Sequence, residues 1–175
     1  RYLFEHFDIE ALDKATELIL NANRVFVLGL RTSSTLANYL GFYLDVALDD
    51  VKVLNNSGVN SLYEEIIRIK ENDLLIVISY PRYSKTTIEA ARFVKEHKAK
   101  LVAITDTEES PVYRLADASL LAKSNIVSFV DSLVVPLTMI NNLIINISLR
   151  EKEDIVEYYN TLEKLWDNNS IYQNF

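Results

Sequence analysis

From Arg24 to Ala122 the chain alternates short apolar runs, "RVFVLGL", "VKVLN", "DLLIVIS", "AKLVAIT" and "ASLLA", with stretches whose apolar residues recur at helical spacing. No other feature restricts the fold as much. A short run that is apolar on both faces suits a strand buried on both sides, and such a strand needs a layer of helices above and below its sheet. The helical stretches supply those layers. Residues 9–21 place Ile9, Leu12, Ala15, Leu18 and Ile19 at helical spacing, Thr32–Leu48 and Asn60–Lys70 follow strands one and two, and Thr86–His97 follows strand three. Pro111–Ala116 reads as a short helix, and two long helices fill the chain from about Phe129. Repeated βα units joined by right-handed crossovers predict an α/β fold: a three-layer αβα sandwich around a five-stranded parallel sheet in the order 2-1-3-4-5.

At 175 residues, 49% of them hydrophobic, the chain has material for one domain with a large core, and we read residues 1–175 as that domain. Cysteine is absent, which excludes disulfides, thiolate zinc sites and thiol nucleophiles. Acidic residues outnumber basic ones 25 to 18, a net charge of −7, and such a surface repels nucleic acid. The stretch "FVDSLVVPLTMINNLIINISL" approaches membrane-spanning length, but Asp131, Asn141, Asn142 and Asn146 are costly in hydrocarbon. It reads as a buried or interface helix, with apolar residues on more than one face: Leu133, Leu137, Ile140, Ile144 and Ile147 on one side, Val135, Met139 and Leu143 on another. A single sheet does not cover both sides, so a homodimer, or a dimer of dimers, is expected. The absence of a signal peptide favours the cytoplasm. "RYLFEHFD" at the start, with no initiator methionine, reads like the middle of a longer protein.

The predicted sheet order locates a binding site before any motif is named. In an open parallel sheet the crevice lies beyond the carboxyl ends of the strands where the order reverses, here between strands one and three. The loops at that point are "GLRTSS", residues 29–34, and "SYPRYSKTT", residues 79–87. Each opens a helix, whose first N–H groups lack partners and whose dipole end is positive, a place that attracts phosphate. Ser33, Ser34, Ser79, Ser84 and Thr86 offer O–H donors, and Arg31, Arg82 and Lys85 offer charge. Each hydroxyl also has an ordinary reading, because Thr32 or Ser33, and Ser84 or Thr86, are favoured N-cap residues in any helix.

The segments "FVLGLRTSSTLANYL" and "DLLIVISYPRYSKTTIEAARFVKEHKAKLVAITDTEESPVYRLADASLLA" resemble the SIS, or sugar isomerase, domain, and most closely the form found as the effector half of RpiR-type bacterial transcriptional regulators. The resemblance covers residues from about 20 to 150. It implies a flavodoxin-like, phosphosugar-binding domain that dimerises and that, in the regulators, follows an amino-terminal helix-turn-helix domain through which DNA is bound. The serine that grips phosphate in the family falls on Ser33. Its second hydroxyl loop, usually Ser-x-Ser-Gly-x-Thr, falls on Ser79, Pro81, Arg82 and Ser84. Three positions depart from the pattern: Pro81 replaces a hydroxyl, Arg82 a glycine, and Arg31 a second glycine in the first loop. Two arginine forks suit a carboxylate or a phosphate, so the ligand expected is a sugar acid or a phosphosugar. Ser128 and Asp131, where "SFVDSLVV" opens the helix after strand five, complete the candidate ligand-binding set.

Isomerisation of a sugar phosphate needs a base beside the carbonyl, and few side chains qualify. His97 ends the helix after strand three, at the far end of the sheet. His6 lies in the amino-terminal arm, Glu64 and Glu65 read as a solvated helix face, and Glu108 and Glu109 as an exposed loop. Where the related enzymes carry a glutamate on the helix after strand five, this chain has Asp131. No metal-ligand spacing, phosphate-binding glycine loop or nucleophilic triad is present in the sequence. The expectation is a sensing domain without cofactor, metal or catalysis; the alternative is a stand-alone phosphosugar isomerase.

Overall fold

The structure, a computed structural model, describes residues 8–54, 59–124, 126, 127 and 130–169, with the backbone alone at 59–61, 126, 127, 130 and 131. In chain order the elements are α1 (Ile9–Leu20), β1 (Val25–Gly29), α2 (Ser33–Ala47), β2 (Val51–Leu54), α3 (Val59–Ile66), β3 (Leu74–Ile78), α4 (Lys85–Glu96), β4 (Lys100–Thr105) and β5 (Ala118–Leu121). A two-residue hairpin, β6 (Ile126–Val127) and β7 (Val130–Asp131), precedes α5 (Val134–Arg150) and α6 (Lys152–Asn169). The main sheet runs β2-β1-β3-β4-β5 with every neighbouring pair parallel, the order expected from the sequence.

Burial follows position in that sheet. The central strands β1 and β3 are buried at every residue, whereas the edge strands β2 and β5 retain partly exposed positions. Alternate side chains feed two cores. Val25, Val27, Ile76, Ile78, Val102 and Ile104 pack with α1, α2 and α5 on one face. Phe26, Leu28, Leu75, Val77, Leu101 and Ala103 pack with α3 and α4 on the other. Each fully buried aliphatic side chain stabilises the fold by about 1.5–3 kcal/mol, so the doubly covered strands hold the site loops on a rigid base.

Local chemistry fixes the ends. The Asp8 carboxylate accepts from Ala11 N at 2.9 Å and caps α1. At the turn into β3, buried Asp73 accepts from the Lys70 amide at 2.7 Å and from both Nε and Nη2 of Arg24 at 3.1 and 2.6 Å. That hydrogen bond raises the Arg24 pKa and satisfies a carboxylate held almost wholly out of water. The three asparagines of α5 are satisfied as well: Asn141 accepts from Tyr39, Asn142 donates to the Thr138 carbonyl, and Asn146 donates to Asp13.

Four readings of the sequence need correction. The helix expected over Asn60–Lys70 ends at Ile66, because the chain must turn to present Asp73 and buried Ile69 to the start of β3. Pro111–Ala116 forms consecutive hydrogen-bonded turns, not a helix. The long helix begins at Val134, since the preceding residues form the hairpin, and Asp131 therefore lies in β7 and not at a helix start. The buried side of α5 combines residues from both expected stripes, Met139, Ile140, Leu143 and Ile147, while Val134, Ile145 and Leu149 are the apolar residues it exposes.

Candidate functional site

The two hydroxyl-rich loops leave the carboxyl ends of β1 and β3, which are adjacent in the sheet at the point where its order reverses. Gly29 sets the first loop. A Cβ there would lie 2.3 Å from the Ser33 carbonyl oxygen and 3.0 Å from Ala37 Cβ, so its absence lets α2 start directly against the strand. Arg31 then adopts φ 57°, the left-handed region that suits glycine, and holds it without one. The turn closes with Ser33 N donating to the Leu30 carbonyl at 3.2 Å and Ser34 N to Arg31 O at 3.0 Å. Ser33 is left 7% exposed, and its hydroxyl has no hydrogen-bond partner among the described residues. Ser34 is different: its hydroxyl donates to Arg31 O at 2.6 Å and serves the turn.

The second loop is braced from β4. Ser79 N donates to the Ile104 carbonyl at 3.0 Å, the Thr105 hydroxyl donates to Ser79 O at 2.7 Å, and Ser110 Oγ lies 2.8 Å from the same hydroxyl. Tyr83 O–H donates to Asp106 Oδ1 at 2.8 Å. Burial, with that bond to a carboxylate, raises the Tyr83 pKa and keeps the phenol protonated. Ser79 is 4% exposed, and its hydroxyl, like that of Ser84, makes no hydrogen bond among the described residues. These brace residues, Tyr83, Thr105, Asp106 and Ser110, were not among the sequence candidates. Ser110 and Thr105 carry no pattern that distinguishes them from surface hydroxyls until the strand ends are brought together.

The helix starts bear on the cap reading of these hydroxyls. Neither Thr32, at the N-cap of α2, nor Ser84, at the N-cap of α4, makes a side-chain cap hydrogen bond, in contrast to Asp8 on α1. At α2 the first amides turn back on the loop, Ser33, Ser34 and Thr35 N donating to the carbonyls of Leu30, Arg31 and Thr32. The first-turn amides of α4, in contrast, make no backbone hydrogen bond among the described residues and are open to an acceptor from outside the helix. Arg31 and Arg82 are exposed and take part in no ion pair among the described residues. Lys85, with its side chain 89% exposed, lies 3.6 Å from Glu89 on the outer face of α4, and Thr86 is partly buried in the same turn. The structure therefore brings Arg31, Ser33, Ser79, Arg82 and Ser84 to one end of the sheet, with Lys85 and Thr86 at its margin. Asp131 is placed by its backbone in β7, and Ser128, like His6, lies outside the described residues.

His97 is the C-cap of α4, exposed and stacked on Phe93, at the opposite end of the sheet. Glu64 is exposed, Glu65 pairs with Lys52 at 3.1 Å, and Glu108 and Glu109 are exposed. A cleft of about 520 Å³ opens at that opposite end, lined by Asn23, Asp45, Asp49, Asp50, Glu151 and Asp154 among others. Its carboxylates repel an anion, so its size does not make it the anion site.

A family model described as the SIS domain matches residues 18–146, and the chain belongs to that family. It is similar to the sugar isomerase domain of an RpiR transcription factor from Sphaerobacter thermophilus, with 28% identity and a TM-score of 0.88 over 93% of this chain and 90% of that one. An HTH-type transcriptional regulator of Caldanaerobacter subterraneus is 27% identical over 89% of this chain and 56% of its own length, so the chain spans about half of that regulator. The fold is also that of the Vibrio vulnificus NanR protein complexed with ManNAc-6P, at 18% identity and a TM-score of 0.79, covering 98% of this chain and 64% of that one.

Proposed function

We propose that this domain is the ligand-sensing half of an RpiR-type transcriptional regulator and that it binds a phosphosugar or a sugar acid at the switch point between β1 and β3. One observation carries the reading. Two helix starts that follow adjacent strands make no side-chain cap hydrogen bond. Their loops carry the hydroxyls of Ser33, Ser79 and Ser84, without hydrogen-bond partners among the described residues, and the guanidinium groups of Arg31 and Arg82, without ion-pair partners among them. The open first-turn amides of α4, the hydroxyl donors and the fixed positive charge together suit the oxyanion of a phosphate or carboxylate. The likeness to an RpiR sugar isomerase domain and the ManNAc-6P bound by NanR support the same class of ligand.

Ser34, Lys85 and Thr86 belong to the outer part of this set, and Ser128 and Asp131 are assigned to it from the sequence alone. The domain binds its ligand without cofactor or metal and without turning it over: His97 lies at the opposite end of the sheet, Glu65 pairs with Lys52, and the side chains of Glu64, Glu108 and Glu109 are exposed. It assembles as a homodimer, or a dimer of dimers, in the cytoplasm, and reaches DNA through a separate helix-turn-helix domain. No described helix is long and apolar enough to cross a membrane.

A thermal-shift screen of phosphosugars and sugar acids tests the reading, because a ligand that binds the native state alone stabilises it by RT ln(1 + [L]/Kd). Calorimetry of Ser33→Ala and Arg82→Ala with the best hit should show affinity falling roughly ten- to a hundred-fold for each. A screen without a hit, or unchanged affinity in both variants, refutes the site.

A further inference from the structure

Tyr80 lies between Ser79 and the arginine of the second loop, and its hydroxyl is the one buried side-chain polar atom without a hydrogen-bond partner among the described residues. It continues the alternation of Ile76 and Ile78, so its ring packs on the face shared by α1, α2 and α5, the side on which α2 presents Ser33. Asp106 is near enough to act on it electrostatically, yet that carboxylate bonds Tyr83 and not Tyr80. A phenylalanine would fill the same space without enclosing an unsatisfied O–H, and an orphaned buried hydroxyl is a cost the fold does not need. Its neighbours in sequence are the groups assigned to the ligand.

We infer that the Tyr80 hydroxyl is a specificity group that hydrogen-bonds the polyol part of the ligand, while the serines and helix starts hold its anionic end. This rests on the anion site proposed above. A phenol both donates and accepts, as a sugar hydroxyl does, whereas a phosphate dianion already served by amides, serines and arginines only accepts. Burial raises the Tyr80 pKa further above that of free tyrosine, so the group remains an O–H throughout the neutral range. Because its oxygen is closed off from solvent in the free protein, the sugar meets it through a movement of the loop that carries it, a step that inorganic phosphate does not require.

The test is calorimetry of the wild-type chain, Tyr80→Phe and Ser33→Ala with ManNAc-6P, with the strongest hit of the sugar-phosphate screen, and with inorganic phosphate. Tyr80→Phe should weaken the sugar phosphate by about tenfold or more, leave inorganic phosphate within about twofold, and leave the melting temperature of the free protein unchanged or higher. Equal loss for both ligands, no loss for either, or a lower melting temperature overturns the assignment, the last because it would mean that the hydroxyl has a partner in the free fold. Sugar phosphate weakened by Ser33→Ala and untouched by Tyr80→Phe removes Tyr80 alone. No binding of any sugar phosphate by the wild-type chain removes the anion site and this inference together.

Discussion

At the scale of single residues, one serine or threonine serves as a cap, a turn clamp or a ligand donor according to where its oxygen points. Asp8 caps α1 with an acceptor distance of 2.9 Å, while Ser84 occupies the same position on α4 and makes no such bond. Asp8→Ala should therefore destabilise the domain by about 1 kcal/mol in urea unfolding, and Ser84→Ala should change stability by a few tenths while weakening ligand binding. A stability loss for Ser84→Ala as large as for Asp8→Ala would restore the cap reading. The tyrosines add a pH dependence. Tyr80 and Tyr83 both have folded pKa values raised above the ordinary 10.0, so the folded state holds protons that the unfolded chain releases. Their contribution is complete below pH about 10 and is lost as pH rises above it, so melting temperature should fall more steeply between pH 9.5 and 11 in the wild-type chain than in Tyr83→Phe. Equal slopes would show that the Tyr83–Asp106 bond is not felt. Ser33, Ser34 and Ser79 were candidates because topology alone brings their loops together. That the Ser34 hydroxyl bonds its own turn and that packing orphans the Tyr80 hydroxyl was not legible, since side-chain direction is decided by tertiary contacts that periodicity does not encode.

Among elements, legibility followed length. Strands β1, β3 and β4 are buried on both faces and stood out as apolar runs, and the helices between them showed the helical period over three turns or more. The hairpin β6–β7 has two residues per strand, too few for any period to register, and it was absorbed into the helix that follows. Pro111–Ala116 failed for the opposite reason. Its local pattern suits a helix, but buried Ser110 and Val112 tie the segment to β4 and the core as successive turns. The contact between β1 and α2 is the element-level feature on which the site depends. Gly29→Ala would force a methyl carbon against the Ser33 backbone, so it should lower stability by more than 1 kcal/mol and shift the first loop. Loss of ligand affinity with a normal melting temperature would mean instead that the loop absorbs the methyl without strain on the fold.

For the molecule as a whole, the described surface leaves apolar side chains on three helices that no described part of the same chain covers. Phe42 on α2 is 65% exposed and Leu149 on α5 is 72% exposed, with exposed Ile145 one turn before Leu149 and Val156, Tyr158, Tyr159 and Leu165 exposed on α6. Helix α6 buries none of its 18 residues. Scattered apolar exposure is ordinary, but a helix with no buried side and apolar neighbours on two others suits an interface, and a stable one needs about 800 Å² from each partner. We expect light scattering at micromolar protein to give at least twice the 20.1 kDa chain mass. Phe42→Glu with Leu149→Glu should lower that mass toward a single chain while leaving the melting behaviour of the core intact, because both side chains are exposed in the isolated fold. Charge supplies an independent sign. Each copy carries −7, so association brings like charges together, and raising salt from about 0.05 to 0.5 M should tighten it by shortening the screening length. An interface held by ion pairs would loosen over the same range, and a single-chain mass at every salt concentration would rule out self-association through these helices.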